Sequence, residues 1–272
     1  MRYLEAMLKW LCLLPVRGRY RLVNMLPLTG VRHIHVGGNR LELDVSQPFS
    51  RLIYFGLYEE AFIAFLRKNV KPGDVVVDGG ANVGYVSAVA SSLVGDHGKV
   101  FAIEPSVTCL GRLKSHLTAA NVTIVHAALG EVVRKAVFYD TPRVLSKGFA
   151  CLGEIEIPED GTAYDVAVTT IDDLRERRGI SRIRMLKLDI EEAELLAIKG
   201  AEQALRAAAI DYLLVETDFA YARAAAIHEA LVGHGYTPHL LTRNGNLRAL
   251  DFRRPGRMRT DVLWASRSHA SR

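Results

Sequence analysis

Apolar positions along this chain recur at two spacings, and the points where the spacing changes divide it into alternating helices and strands. Near the start Leu4, Met7, Leu8, Leu11 and Leu14 recur every three or four residues, which predicts a short helix over 3–16, broken by Pro15. Runs at 31–36 and 40–45 flank Gly37-Gly38-Asn39 and read as a β-hairpin. Ala61, Phe62, Phe65 and Leu66 predict a helix over 58–66, with Glu59 and Glu60 in its first turn, where the helix dipole favours acids. Behind the turn residues Pro72-Gly73-Asp74 stand Val75, Val76 and Val77, a run suited to a strand covered on both faces. After Gly84 the helical spacing returns at Val86, Val89, Ala90, Leu93 and Val94, until Gly95 and Gly98 stop it.

The same rhythm continues downstream. Residues 99–104 read as a second strand, Cys109, Leu110, Leu113 and Leu117 as a helix, and 122–125 as a third strand running into a loop at 126–130. Between 136 and 170 the pattern changes to short strands at 136–139, 148–157 and 164–168, joined by Pro142, Pro158 and Gly161. This stretch reads as an insertion or extended crossover near the acceptor side. Thr170 is an N-cap for a short charged helix to Arg178. A strand at 185–189 then leads into a helix carrying Leu195, Leu196 and Ile198, closed by Gly200. The expected fold is α/β: a Rossmann-like, doubly wound, mostly parallel sheet of about seven strands with an N-terminal helical and hairpin appendage. The expected boundaries are 1–45 for the appendage and 46–272 for the main domain, with a small β-rich insertion near 136–170.

Composition adds limits. At 272 residues, 49% of them apolar and nine of them proline, the chain can bury one sizeable core plus an appendage. The net charge of +5 gathers at the two ends, in Arg17, Arg19, Arg21 and Arg32 and again in Arg253, Arg254, Arg257 and Arg259. Such ends suit a polyanion or an acidic membrane surface, or form a solvated rim. Cys12, Cys109 and Cys151 have no metal-ligand spacing and are odd in number, so free thiols and a cytoplasmic location are expected. The N-terminal stripe is too short to span a bilayer, carries Glu5 and Lys9, and shows no small-residue cleavage site. It is expected to pack on the domain or on a second subunit, with peripheral membrane contact as the alternative.

The chemistry is concentrated at strand ends. Asp78-Gly79-Gly80-Ala81-Asn82-Val83-Gly84 is a strand-to-helix turn, the place where open α/β sheets bind ligands. A dinucleotide site wants Gly-x-Gly-x-x-Gly, which Ala81 and Asn82 after Gly80 do not supply. The Asp-x-Gly-x-x-x-Gly pattern is similar instead to motif I of the class I S-adenosylmethionine-dependent methyltransferases. Asn82 takes the place of a middle glycine there, and Asn tolerates left-handed backbone. Glu104 ends the next strand and is suited to accept from both hydroxyls of a ribose. It points to a nucleoside without separating this cofactor from NAD. His126 and Ala127, on the third loop, are candidates for a wall against the adenine. Asp189 ends its strand on the same rim as Asp78 and Glu104, with Glu191 following in the loop. Glu192 and Glu194 are explained by the helix dipole alone, so a catalytic role falls first to Asp189 and then to Glu191. Lys187 reads as a sheet-face lysine whose amine reaches water.

Taken together, these stretches resemble the FkbM family of S-adenosylmethionine-dependent methyltransferases. The resemblance rests on the Asp78–Gly84 turn, Ala102-Ile103-Glu104-Pro105, Thr170-Ile171-Asp172-Asp173-Leu174 and Lys187-Leu188-Asp189-Ile190-Glu191-Glu192-Ala193-Glu194 with Lys199-Gly200-Ala201. Gly56-Leu57-Tyr58-Glu59 and Val215-Glu216 fit as well, and the match covers roughly positions 40 to 240. One departure is Glu192, where the family usually has glycine. The resemblance implies S-adenosyl-L-methionine as cofactor, held by Asp78, Gly80, Asn82, Gly84, Glu104, Pro105, His126 and Ala127. It also implies O-methylation of a small-molecule or glycan hydroxyl, on a sugar, glycolipid or polyketide-type product. Asp189 and Glu191 could hold Mg²⁺, but no convincing third oxygen ligand is in view, since Glu216 and Asp218 could equally bond acceptor hydroxyls, so Asp189 is expected to act as base without a metal. The acceptor pocket is expected from residues 49–58, 136–170 and the last loops. Nucleic acid is a disfavoured partner, since no Asn/Asp-Pro-Pro-aromatic motif and no Cys beside Pro is present. An RNA ribose methyltransferase using Lys187, and a non-catalytic S-adenosylmethionine-binding protein, are the alternatives.

Overall fold

A computed structural model describes residues 2–14, 18–140, 151–152, 161–219, 222–253 and 259–269. The expected features at Pro15, Val16, Arg17, Pro142, Pro158, Arg254 and Arg257, and most of the strand expected at 148–157, lie outside the described residues. The chain opens with α1 (Arg2–Leu13) and α2 (Arg19–Met25), the hairpin β1 (Val31–Val36) and β2 (Asn39–Asp44), then α3 (Pro48–Tyr54) and α4 (Glu60–Asn69). Next come β3 (Val75–Gly79), α5 (Tyr85–Val94), β4 (Lys99–Ile103), α6 (Val107–His116) and β5 (Val122–Val125). Four short strands follow: β6 (Ala128–Leu129), β7 (Arg134–Asp140), β8 (Cys151–Leu152) and β9 (Thr162–Thr169). The rest is α7 (Ile171–Arg178), β10 (Ile183–Leu188), α8 (Glu194–Lys199), α9 (Glu202–Arg206), β11 (Ile210–Asp218), α10 (Ala222–Gly233), β12 (Tyr236–Leu241), β13 (Leu247–Ala249) and β14 (Arg259–Ser266).

The main sheet has the order β13-β12-β14-β11-β10-β3-β4-β5. From β11 to β5 all neighbours are parallel, whereas β14 is antiparallel to β11 and to β12, and β13 is antiparallel to β12. This is the doubly wound α/β sheet expected from the sequence, with eight strands rather than about seven. The extra strand is β13, a three-residue return at the edge. The chain moves outward from β3 to β4 to β5 and then resumes at β10 on the other side of β3, so the crevice between β3 and β10 is the switch point of the sheet.

Side chains of successive strand residues alternate between two cores. Val76 joins Phe62, Phe65, Val89, Leu113 and Leu263 under α4, α5 and α6, while Val77 joins Ile103, Leu188, Ile198, Leu231 and Trp264 under α7 to α10. The hairpin packs on the first core through fully buried Leu41 and Leu43. Leu8, Cys12, Val23, Phe55 and Leu57 make a third cluster that seats the N-terminal helices. Of the expected stripe on α1, Leu8 is buried and Leu11 half-buried, but Met7 is 52% exposed, because the buried face turns toward Cys12. No helix among the described residues is long and apolar enough to cross a membrane.

Local differences from the sequence reading have physical causes. The helix expected over 58–66 begins only at Glu60, because Glu59 takes a left-handed conformation at φ 50° and redirects the chain. Thr170 caps α7 as expected, its Oγ1 accepting from the Asp173 N–H at 3.0 Å. The sheet β6-β9-β7-β8 docks on the β4–α6 turn: Asp140 accepts from the Ser106 hydroxyl at 2.8 Å, and the Tyr164 hydroxyl accepts from the Val107 N–H at 2.8 Å. Its described residues therefore lie beside the turn that follows Glu104.

Candidate active site

The turn after β3 is shaped by one close approach. Gly80 has φ 76°, and a Cβ placed on it would stand 1.9 Å from the backbone oxygen of Asp189. Only a glycine lets the β3 and β10 turns meet there. Gly80 and Ala81 both donate their N–H to the Ile103 carbonyl, at 3.0 and 3.1 Å, which folds the turn over the end of β4. Asn82 is left-handed at φ 50°, as its substitution for glycine requires, and Gly84 at φ 86° opens α5 without a side-chain cap. The first N–H groups of α5 are thus left for an anion.

Glu104 faces this turn. Its carboxylate accepts from the Asn82 N–H at 2.7 Å and the Ser106 N–H at 2.9 Å, one bond to each oxygen. A carboxylate has about four acceptor positions, so two remain for a pair of hydroxyls. Burial pushes its pKa up to about 7 against the pull of the two amides, and the Asp140 and Asp78 carboxylates add to the rise. Pro105 and His126 adjoin it, with His126 Nε2 3.1 Å from the Pro105 oxygen and the imidazole exposed. Ala127 is buried and donates its N–H to the Val125 carbonyl at 3.0 Å.

Asp78 is placed differently from the turn it introduces. Its side chain is fully buried and accepts from the Ser87 hydroxyl of α5 at 2.6 Å, while Oδ1 has no hydrogen-bond partner. Burial raises its pKa, against the opposing effects of the nearby Lys187 ammonium and the Ser87 bond. Lys187 lies opposite Asp78 in the β10–β3 register. Its amine does not reach water as the sequence suggested; the residue is 3% exposed and Nζ donates to Asp189 Oδ2 at 2.8 Å. Burial disfavours this ammonium, but Asp189, Asp78 and their neighbours outweigh it and hold the charge. Asp189 is thus half of an ion pair, not a lone carboxylate.

Beyond Asp189 the chain makes two left-handed steps, Glu191 at φ 49° and Glu192 at φ 77°. A left-handed φ at the second suits the glycine that the family resemblance leads one to expect there. Glu192 here pairs with Arg223 of α10 at 3.2 Å. Glu194 is buried and reaches back to accept from the Ile190 N–H at 3.0 Å, which fixes the turn.

Next to this rim is a cavity of about 550 Å³, walled by Tyr20, Leu57, Tyr58, Glu59, Leu241 and Asp261 among others. Because β14 runs antiparallel to β11, Asp261 on its wall stands opposite Glu216, near the end of β11. Tyr58 links it to the turn, its ring meeting that of Tyr85, the first residue of α5, at 6.1 Å. None of the described residues between 134 and 169 lines it. Burial raises the Glu59 pKa to about 8; the Asp261, Asp189 and Glu216 carboxylates raise it further and the Lys187 ammonium opposes them.

The model of the methyltransferase FkbM domain matches residues 78–238, more than half of the chain. This chain belongs to the FkbM methyltransferase family. A protein named 31-O-demethyl-FK506 methyltransferase FkbM, from Streptomyces tacrolimicus, is 28% identical over 215 residues, which are 66% of this chain and 81% of that protein. The crystal structure of methyltransferase FkbM from Methylobacillus flagellatus KT matches 80% of this chain at 16% identity with a TM-score of 0.46, and the match spans 54% of that longer chain. Aeropyrum pernix fibrillarin, crystallised with natively bound S-adenosyl-L-methionine, matches 90% of this chain and 86% of its own at 14% identity and a TM-score of 0.42.

In this FkbM-family methyltransferase the rim gathers Gly80, Asn82, Gly84, Glu104, Pro105, His126 and Ala127 on one side of the switch point and Asp189 and Glu191 on the other. Sequence reasoning missed three features: the Lys187–Asp189 pair, Glu59 and Asp261. The Gly56-Leu57-Tyr58-Glu59 resemblance marked the second. Asp261 begins a strand instead of ending one, so the rule that found the other acids passed over it.

Proposed function

We propose that this methyltransferase uses S-adenosyl-L-methionine to O-methylate a hydroxyl of an uncharged small molecule or glycan. The observation that carries the reading is Glu104, fixed by the Asn82 and Ser106 amides with acceptor positions left for a ribose diol. The cradle fits such a group. Gly80 keeps the turn free of side chain, Ala81, Val83 and Ala127 give it a buried apolar floor, and uncapped α5 offers N–H groups to a carboxylate. Pro105 and His126 are the residues proposed to flank the adenine. Asp78 acts from below, by holding Ser87 in the first turn of α5.

When bound, the cofactor would supply a methyl group already activated by its sulfonium. The protein's own residues hold the acceptor oxygen in line and keep water away, so most of the acceleration comes from positioning. Asp189, held by Lys187, is proposed to accept a hydrogen bond from the acceptor through its second oxygen, with Glu191 beside it. The RNA ribose alternative would use the Lys187 amine, which is buried and donates to Asp189, and the labelling test separates it from this reading. The FK506-related substrate in the relative's name is a hydroxyl acceptor and is consistent with this reading.

The test is incubation with labelled S-adenosyl-L-methionine and fractionated cell extract, with 31-O-demethyl-FK506 as a defined second acceptor. Label in a glycan, lipid or natural product supports the reading. Label confined to RNA, or binding of the cofactor with no transfer to any acceptor, overturns it.

A further inference from the structure

We propose that the cavity bounded by Tyr58, Glu59, Leu241 and Asp261 seats the acceptor and that the Glu59 carboxylate takes the proton of the reacting hydroxyl; this rests on the methyl transfer proposed above. Three observations converge. First, the cavity, at about 550 Å³, is within the roughly 300–1,000 Å³ typical of small-molecule sites, and Asp261 on its wall stands opposite Glu216 near the end of β11. Second, Tyr58 links it to the cofactor turn: its ring meets Tyr85 at the start of α5, and it lines the cavity together with Glu59. Third, the acids of this region differ in what engages them. Asp189 is bound by Lys187, and Glu60, beside Glu59, is bound by Arg19 and Arg243. Among the described residues no hydrogen bond or ion pair engages the Glu59 carboxylate, although the residue is half-buried.

An ion-paired carboxylate is held anionic and is a weak proton acceptor, whereas a desolvated one without a cation is a strong one. The groups facing Glu59 are Lys187 and Asp189 at the end of β10, Glu216 on β11 and Asp261 on β14; together with burial they set its proton affinity near neutral pH. The left-handed conformation of Glu59, φ 50°, carries this side chain out of the first turn of α4. Besides Glu59, Glu60 and Asp261 the wall carries Arg248, and the Tyr20, Leu57 and Tyr58 surfaces suit the apolar face of a hydroxylated ring. In the step, the acceptor O–H bond breaks and its proton passes to Glu59. The oxygen electron pair forms the new O–CH₃ bond, and the electrons of the broken S–CH₃ bond remain on sulfur.

The experiment uses the full chain, the extract fraction labelled by the wild-type protein, and two variants. Glu59→Gln should label that fraction more slowly by on the order of 10²–10⁴, while calorimetry gives an S-adenosyl-L-methionine affinity within about twofold of wild type. Leu241→Trp, which fills the cavity, should lose labelling with the same unchanged cofactor affinity. Glu59→Asp should restore part of the rate. In the wild type the rate should rise about tenfold per pH unit up to about pH 8, and ¹³C NMR of labelled glutamate should show one carboxyl titrating there that Glu59→Gln removes. Wild-type labelling by Glu59→Gln removes the residue from the reaction, and wild-type labelling by Leu241→Trp removes the cavity. Absence of labelling by the wild-type protein would instead overturn methyl transfer itself, and this inference with it.

Discussion

Binding of S-adenosyl-L-methionine should release a proton from Glu104. In the ligand-free protein this carboxyl has a pKa of about 7, raised chiefly by burial, and two ribose hydroxyls can donate to it fully only when it is ionised. At pH 6 it is therefore about nine-tenths protonated, and binding should release about 0.9 proton. Between pH 5 and pH 7 the affinity should rise about fiftyfold, worth about 2.3 kcal/mol. The sign for stability follows from the same shift. The folded pKa lies above the ordinary 4.5, so the contribution is complete below pH 4.5 and is lost, by about 3 kcal/mol, as the pH rises through about 7. Calorimetry in buffers of different ionisation enthalpy counts the proton, and Glu104→Gln should abolish both the release and the pH dependence. A wild-type affinity that changes less than about threefold between pH 5 and pH 7, or a Glu104→Gln protein that keeps the slope, would refute the reasoning.

Other perturbations test the scaffold. Gly80→Ala puts a Cβ against the Asp189 carbonyl and adds about 1–2 kcal/mol of left-handed backbone strain, so thermal unfolding should shift down and cofactor affinity should fall; an unchanged melting temperature would show that the two turns do not meet. Lys187→Met leaves Asp78 and Asp189 without their ammonium and should cost about 3–5 kcal/mol; denaturant unfolding should show a smaller loss at pH 5, where carboxyls take up protons, than at pH 8. Arg19→Ala removes a buried guanidinium that joins Glu60 and the Cys12 carbonyl. Because Arg243 still reaches Glu60, the loss should be about 2–3 kcal/mol by denaturant unfolding, and sedimentation with anionic vesicles should not change.

The centre of the sheet was legible because three of its parallel strands follow one rule: an apolar run ends in an acid and a turn leads to a helix. Val75–Gly79, Lys99–Ile103 and Ile183–Leu188 obey it, and Asp78, Glu104 and Asp189 follow from it. The left-handed Asn82 was legible too, since Asn is among the few residues that replace glycine there. The edge of the sheet was not. Leu247–Ala249 is too short for an alternation to show, and its pairing with β12 is set by tertiary packing. Nor could the burial of the Lys187 amine be read, because a sequence does not tell whether a lysine stem leads to water or to a carboxylate two residues on.

The acids missed by the strand rule are those that line the proposed acceptor cavity. Asp261 reaches the rim only because β14 runs against its neighbours, so that the start of the strand, not its end, lies beside Glu216. Glu59 looks like a first-turn helix acid until its backbone turns left-handed and takes it out of the helix that explained it. In both, a change of chain direction converts a residue with an ordinary local explanation into one facing a cavity. The cofactor side of a doubly wound sheet is built by consecutive strand–turn–helix units, each readable in its own segment. The acceptor side draws Leu57, Glu59, Leu241 and Asp261 from segments up to two hundred residues apart, and nothing local fixes their meeting. On the proposed assignment, substitution at those four places changes acceptor choice in this protein while the Gly80 turn and Glu104 stay as they are, a division that the Leu241→Trp protein, with its cofactor affinity and labelling measured separately, puts directly to the test.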